Sequence, residues 1–479
     1  MLDKFFANNS KKITNSLWLY FLIIVLVNIL FKVIQLDFSS FWYDEIVSVE
    51  SAWLNFGHIK HVSEWDNNPP FYYYCLSVWI KLFNDSEFCV RLLSVIFSSL
   101  SAGVIFLIAN KFFNKTTAIV VSFLYLSNNF LYFYSHEARA YALIGLLVLV
   151  SSYFFLNFKE KNTWKHICIL GLVNFLIVYT HYIAGLVLVF EVLFMLFYFD
   201  KKQKIKFSYA LLITILLILI RFTKKQFLLI FAFNSPGSVF WLKKSEFSYL
   251  QEVLSEFFFS SYLIFPFLLV IILGITKAFK FKNKELHFSM VYSLTVGLGS
   301  IFFIYLVGIK VSIFLDRYLI FAVPFIYIVI AYAFSLFKNK YIGVVFSVLF
   351  FTFFMLKIDY KTLRGMDFKN AVGFIKHIKK DNDLVIVKQR AVPSLFGYYY
   401  EKDYLKLRKK KLDSSTNVLF CKSWQDVSVN VNKYKRIIVV DAFEDLGIED
   451  KDLINKLSQQ KKKNVSLRKF KGVTITFYQ

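Results

Sequence analysis

Windows of about 20 residues with almost no charge recur along this chain, each long enough to cross the roughly 30 Å hydrocarbon layer of a bilayer. Inside such a layer the backbone has to satisfy its own polar groups, so these windows must fold as helices packed into a bundle. The composition agrees, with 57% of the 479 residues apolar. Fifty-nine Phe and 29 Tyr suit lipid-facing surfaces and interfacial belts, and equally a pocket for a long isoprenoid-like chain. Six Pro and 16 Gly are few for so many spans, which argues against a transporter of broken, glycine-hinged helices.

The apolar pattern predicts spans at 13–33, 91–110, 117–134, 141–157, 166–180, 182–199, 207–222, 257–276, 287–307, 318–336 and 341–358, eleven in all. Lys4, Lys11 and Lys12 precede the first, which lacks a small-residue cleavage site and reads as a retained span with a cytoplasmic N-terminus. The short loops 110–115, 158–165, 200–206, 277–284 and 338–340 are Lys-rich and all fall on that same side, the cytoplasmic signature. Much of the net charge of +25 therefore has a topological cause, and nucleic acid is not expected as a partner. Segment 37–90 holds no convincing span; broken by Pro69–Pro70, it reads as short interfacial helices on the outer face.

An odd span count puts the tail outside the cell. Residues 384–388, 417–420 and 436–440 read as short strands, 368–380 and 449–460 as helices, and 465–477 as a closing hairpin. The expected fold class is thus a polytopic all-α membrane domain, 1–358, followed by a small extracytoplasmic α/β domain, 359–479, with a partly parallel sheet. No glycine-rich nucleotide loop occurs in the tail. Cys75, Cys89, Cys168 and Cys421 lack metal-like spacing and read as small buried hydrophobes.

A carboxylate beside hydrocarbon is expensive and asks for a reason. Asp44 and Glu45 follow Phe41, Trp42 and Tyr43, where a lipid headgroup would sit; Glu64 and Asp66 come next, then His136, Glu137, Arg139 and Tyr141. A carboxylate there can take the proton of an attacking hydroxyl, although a solvated loop acid is the plain alternative. On a helical turn Arg139 would point away from Glu137, so the two need not pair. His181 marks a short outer turn between spans. The outer cations Arg221, Lys224, Lys225, Lys310 and Arg317 are candidates for a lipid phosphate, against snorkelling for Arg317. Loop 223–256 is a candidate lid.

The ordered motifs SFWYDE at 40–45, DNNPPFYYY at 66–74, SEFCVRLLS at 86–94, HEARAY at 136–141, THY at 180–182 and DRYLIF at 316–321 resemble a known class. They look like bacterial relatives of the dolichyl-phosphate-mannose protein mannosyltransferases, in the GT-C superfamily that includes the lipid A aminoarabinose transferase. The resemblance implies 11 to 13 spans, an active site at the outer membrane face and a polyprenyl-phosphate-linked monosaccharide as donor. It puts the catalytic carboxylate on Asp44 and a second acid on Glu137, where some relatives carry Asp. Asp66, His136, Tyr141 and His181 are supporting candidates, with Glu45 as the alternative base. Arg317 and Arg139 lead the phosphate contacts, with Arg221, Lys224 and Lys225 behind them.

Some relatives bind a divalent metal, for which Asp44, Glu137 and His181 are the ligand candidates; no other cofactor is implied. The expected activity is inverting transfer to an envelope glycan or glycolipid by a monomer in the bacterial cytoplasmic membrane. A protein O-glycosyltransferase and a lipid-linked sugar flippase are the alternatives.

Overall fold

The computed structural model describes residues 2–62, 66, 68–231, 245–281, 283–337, 341–358, 365–388, 392–402, 417–421, 431–442, 457, 459 and 464–479. Glu64, the middle of the expected lid at 232–244, the loop at 338–340 and most of the expected helix at 449–460 lie outside these residues.

Helices follow one another as α1 (Leu2–Lys32), α2 (Tyr43–Ala52), α3 (Phe56–Ile59), α4 (Phe71–Leu82), α5 (Glu87–Phe112), α6 (Lys115–Ser127) and α7 (Asn129–Ser135). Next come α8 (Tyr141–Asn157), α9 (Trp164–Val178), α10 (Leu186–Tyr198), α11 (Lys201–Arg221), α12 (Lys224–Phe231), α13 (Phe247–Phe257) and α14 (Ser261–Lys280). The last are α15 (Lys284–Leu294), α16 (Ser300–Gly308), α17 (Val323–Ser335), α18 (Tyr341–Lys357), α19 (Phe368–Ile378) and α20 (Val392–Tyr400).

Every expected span coincides with helix, but among the described residues four helices are long and apolar enough to cross a bilayer, or five if the bent pair α6–α7 is one span. Six shorter apolar helices, from Leu17–Lys32 to Gly343–Phe353, stand at the remaining positions. At 17 residues, α8 rises only about 25 Å, short of the hydrocarbon thickness. Length therefore does not establish the count of eleven.

The chain divides into two compact units. The first comprises residues 1–34, 56–79 and 91–358, an apolar helical bundle. Its breaks have local causes. Asn128 caps α7 by accepting from Leu131 N at 2.8 Å, and α6 and α7 meet there at 64°. Asp200 and Gln203 cap α11 reciprocally. Between α15 and α16 the helix widens into a π turn, Thr295–Gly299. Helices α9 and α11 approach closely at Gly171, whose carbonyl accepts from Thr214 Oγ1 at 2.9 Å. Such small-residue contacts drive association where lipid removes the hydrophobic effect. Against expectation, Cys168 is exposed on α9, and Cys75 and Cys89 are half-buried; only Cys421 is buried.

The second unit joins residues 35–55 and 80–90 to 359–479, so it is not a simple cut at 358. Its sheet contains β1 (Asp383–Lys388), β2 (Val418–Cys421), β3 (Arg436–Ala442), β4 (Asn464–Phe470) and β5 (Val473–Tyr478), in the order β2-β1-β3-β5-β4. The centre is parallel and the closing hairpin antiparallel. Continuous apolar runs such as Leu384–Val387 are what a strand covered on both faces requires. Gly472 supplies the φ of +66° that turns the hairpin. Segment 35–55 is bonded into this unit. Phe41 N donates to Tyr399 Oη at 2.8 Å, and Tyr398 packs its ring against both Phe41 and Trp53. Lys402 pairs with Asp85 at 2.8 Å, and Tyr399 donates to Glu87 at 3.0 Å. The sequence missed α20, which carries these contacts.

The helix contact gives a paired prediction. A Cβ on Gly171 would lie 2.7 Å from Ala210 O, whereas one on Gly145 meets nothing within 4 Å. Gly171→Val is expected to cost about 1–3 kcal/mol by overpacking. Gly145→Ala should be neutral or stabilise by up to about 1 kcal/mol. Thermal unfolding in detergent compares them, and equal Tm values for the two variants would contradict the packing assignment.

Candidate functional site

In the first unit the polar residues gather on three connections: the approach to α4, the bend between α7 and α8, and the turn between α9 and α10. They are joined by Asp316–Leu319, a 3-10 turn before α17. Residues 136–140 are a bend and not a helical turn, because α7 ends at Ser135 and α8 starts at Tyr141. The spacing argument that set Arg139 against Glu137 therefore does not apply.

Arg139 Nη1 instead donates to Asp66 Oδ2 at 3.0 Å and to Tyr73 Oη at 3.1 Å. Tyr73 also donates to Asp66, and Asn68 Nδ2 donates to Asp66 Oδ1 at 2.7 Å. Burial pushes the Asp66 carboxyl up, but the Arg139 charge and these hydrogen bonds outweigh it and hold the group below its usual range. A backbone bond from Phe71 N to Tyr179 O, 3.1 Å, pins the start of α4 to the His181 turn.

A second set lies at Asp316–Arg317. Tyr134 donates to Asp316 Oδ2 at 3.0 Å, and Asp316 N donates to Tyr249 Oη at 3.4 Å. The Arg317 guanidinium stands 5.9 Å over the Tyr141 ring, itself edge-on to Tyr134. This cation–π seat gives Arg317 an aromatic wall in place of snorkelling. Glu137 and His136 are buried beside this set, with the His136 ring centre 4.4 Å from that of Tyr132 and the two rings tilted at 46°.

His181 links the two sets. Its ring centre is 4.8 Å from Tyr318, and its Nδ1 has no hydrogen-bond partner among the described residues. Burial lowers its pKa from 6.5 to about 4, helped by the charges of both Arg139 and Arg317 and opposed by Asp66. Two guanidinium groups thus converge electrostatically on one neutral imidazole.

Four cationic and two acidic candidates remain. Arg221, Lys224 and Lys225 are exposed where α11 meets α12, and the Arg221 charge reaches Tyr74 and Tyr179. Lys310 is exposed after α16. Asp44 and Glu45 belong to the second unit, in the first turn of α2. Glu45 is fully buried and accepts from Trp42 N at 3.3 Å as a helix cap; Asp44 is half-exposed. Among the described residues no three His, Cys, Asp or Glu side chains gather as metal ligands, and no step is derived through a metal. Tyr73, Tyr134, Asp316 and Tyr318 were not singled out from sequence, although all but Tyr134 stand inside the quoted motifs and Tyr134 lies two residues before one.

A family model described as dolichyl-phosphate-mannose-protein mannosyltransferase matches residues 67–224. No curated protein matches the chain. Among solved structures, ArnT from Cupriavidus metallidurans in the apo state is similar at 11% identity over 97% of this chain and 98% of that one, with a TM-score of 0.63. ArnT bound to undecaprenyl phosphate gives 12% identity, 96% and 98% coverage and a TM-score of 0.60. The Archaeoglobus fulgidus oligosaccharyltransferase gives 10%, with 80% of this chain and 64% of that one covered, and a TM-score of 0.53. The chain has the GT-C glycosyltransferase fold. On this GT-C frame, the family match takes in Tyr73, Glu137, Arg139 and His181, while Asp44, Asp66 and Arg317 fall outside it.

Two tests follow from the buried charges. Because His181 takes up a proton less readily folded than unfolded, its contribution is full above pH 6.5 and is lost as pH falls towards about 4. That amounts to on the order of 3 kcal/mol. Relative to His181→Gln, wild-type Tm should fall across this window, and parallel curves would contradict the burial. Asp66→Asn leaves Arg139 without its carboxylate and is expected to destabilise by about 3–5 kcal/mol, read by the same melts.

Proposed function

We propose that this membrane protein is a polyprenyl-phosphate-dependent glycosyltransferase, moving a monosaccharide from an undecaprenyl-phosphate-like donor to a cell-envelope glycan or glycolipid. The observation that carries the reading is the convergence of Arg139 and Arg317 on the His181 turn of an apolar bundle. Arg317 there, with Arg139 held beside it by Asp66, suits a ligand that is hydrocarbon at one end and phosphate at the other. The GT-C fold supports it, as does the undecaprenyl phosphate bound in the similar ArnT structure.

In the proposed reaction an acceptor oxygen attacks the anomeric carbon from the face opposite the lipid phosphate, so the configuration inverts. The anomeric C–O bond breaks and its electron pair leaves on the phosphate, already a good leaving group. Arg317 and Arg139 receive that growing charge. The acceptor proton passes to a carboxylate, for which we favour Asp44 on its motif and half-exposure, since Glu45 caps its own helix. Glu137 and His181 orient the acceptor or its carboxylate. The protein is placed in the bacterial cytoplasmic membrane with eleven spans, N-terminus inside and C-terminal domain outside.

A protein hydroxyl is the second reading, favoured by the description of the matching family model. Comparing the masses of surface glycans and exported glycoproteins with and without the gene separates the two. A sugar missing from glycans or glycolipids supports the first reading, and one missing from protein alone overturns it.

Purified protein given undecaprenyl-phosphate sugars and envelope acceptors should release undecaprenyl phosphate. Asp44→Asn should slow release about 10²–10⁴-fold while leaving donor binding intact. Arg317→Ala should raise donor KM and lower kcat. Wild-type protein that releases no lipid phosphate with any donor–acceptor pair would contradict the proposal and favour a flippase.

A further inference from the structure

Far from the arginine cluster in sequence, the bundle buries an acid that the proposed chemistry does not use. Glu191, on α10, has no solvent exposure and no ion pair among the described residues. Its Oε1 lies 2.8 Å from Ser151 Oγ on α8, and its Oε2 lies 2.8 Å from Asn174 Nδ2 on α9. Ser151 Oγ is also 2.6 Å from Asn174 Oδ1, so the three side chains close a ring. The Tyr292 hydroxyl from α15 lies beside the carboxyl and 2.9 Å from Ser152 Oγ.

The ring has three edges, and its protons can be counted. With the Asn174 amide as described, its N–H donates to Glu191, and Ser151 must donate its one hydroxyl proton to Asn174 Oδ1. The edge between Ser151 and Glu191 is then short of a proton unless Glu191 carries one. Turning the amide over moves the deficit but does not remove it. Ser151 then donates to Glu191, and Asn174 Oδ1 faces Glu191 Oε2 as two acceptors. In either orientation the ring closes only around a carboxylic acid.

We infer that Glu191 is an intramembrane proton-binding site: a neutral acid whose O–H donates to Ser151 and whose carbonyl oxygen accepts from Asn174, tying α8, α9 and α10 together beside Tyr292. Everything facing it agrees. Helices α8 and α9 present Ser151, Ser152 and Asn174, which are neutral, and the π turn Thr295–Gly299 has no ionisable side chain. Tyr292 is the one titratable neighbour acting on it, and no Lys, Arg or His offers it a counter-charge among the described residues. An ionised carboxylate here would keep the Asn174 and Tyr292 donors but would face hydrocarbon and a lone pair of Ser151.

The ring has a place in the architecture. Helix α8 leaves from Arg139, α9 enters the His181 turn, α10 leaves it, and α15 leads through α16 to Arg317. Removing the proton opens the tie among the helices that frame those residues. The inference stands on this geometry and not on the proposed activity.

Infrared spectroscopy of the detergent-purified full chain tests it. At neutral pH the wild type should show a protonated-carboxyl carbonyl band that is absent from Glu191→Gln. Ser151→Ala, which removes the acceptor of the acid proton, should shift that band upward. Glu191→Gln can fill both roles in the ring, so it should fold with wild-type Tm at neutral pH. As pH is raised, wild-type Tm should fall more steeply than that of the variant. Superimposable wild-type and Glu191→Gln spectra, a band unmoved in Ser151→Ala, parallel melting curves, or failure of Glu191→Gln to fold would each overturn the inference.

Discussion

A guanidinium group among apolar helices has to be answered, and the first unit answers Arg139 with Asp66. The pair sits at 3.0 Å, nearly excluded from solvent, and Tyr73 touches both partners. One ion pair thereby fixes the bend after α7 to the strand of chain that enters α4. The backbone bond from Phe71 to Tyr179 ties the same chain to the His181 turn. Geometry at this end of the bundle depends on that charge balance, because the helices themselves offer dispersion and close packing but little direction. Burial first, and then the charges of Arg139 and Arg317, push the pKa of the His181 imidazole down to about 4, with Asp66 opposing them.

Helix positions were legible because charge-free windows and Lys-rich loops carry a strong physical signal. The strands of the second unit were legible for a related reason, since runs such as Leu384–Val387 and Ile437–Val440 can only be buried. What stayed hidden depended on contacts distant in sequence. Nothing local says that Tyr399 bonds Phe41 and Glu87, so nothing predicted that residues 35–55 and 80–90 would fold with the tail. A helix cap explains Glu45, yet that role appears only once α2 has a known start at Tyr43.

The site was half visible. Arg139, Glu137, His181 and Arg317 could be picked out because charges beside apolar runs are conspicuous. Asp66 was picked out as well, but its partner was not, since Arg139 lies 73 residues away. Tyrosines such as Tyr73, Tyr134 and Tyr249 escaped notice because this chain is full of them and nothing local marks the few that meet Asp66, Arg139 and Asp316. Lys32 and Glu191 were passed over inside long apolar windows that a single charge barely perturbs. Both prove to be fully buried, with Lys32 donating to Ser98 at 2.8 Å and lying over the Tyr125 ring.

The central claim is that paired arginines in an apolar bundle receive a lipid phosphate. Native mass spectrometry of the purified protein titrated with undecaprenyl phosphate measures that without any knowledge of sugar or acceptor. The account predicts one saturable adduct on the wild type, weakened in Arg317→Ala and competed by the corresponding lipid-linked sugar. A wild type that binds undecaprenyl phosphate no better than an uncharged polyprenol, or an Arg317→Ala variant that binds it equally well, would contradict it.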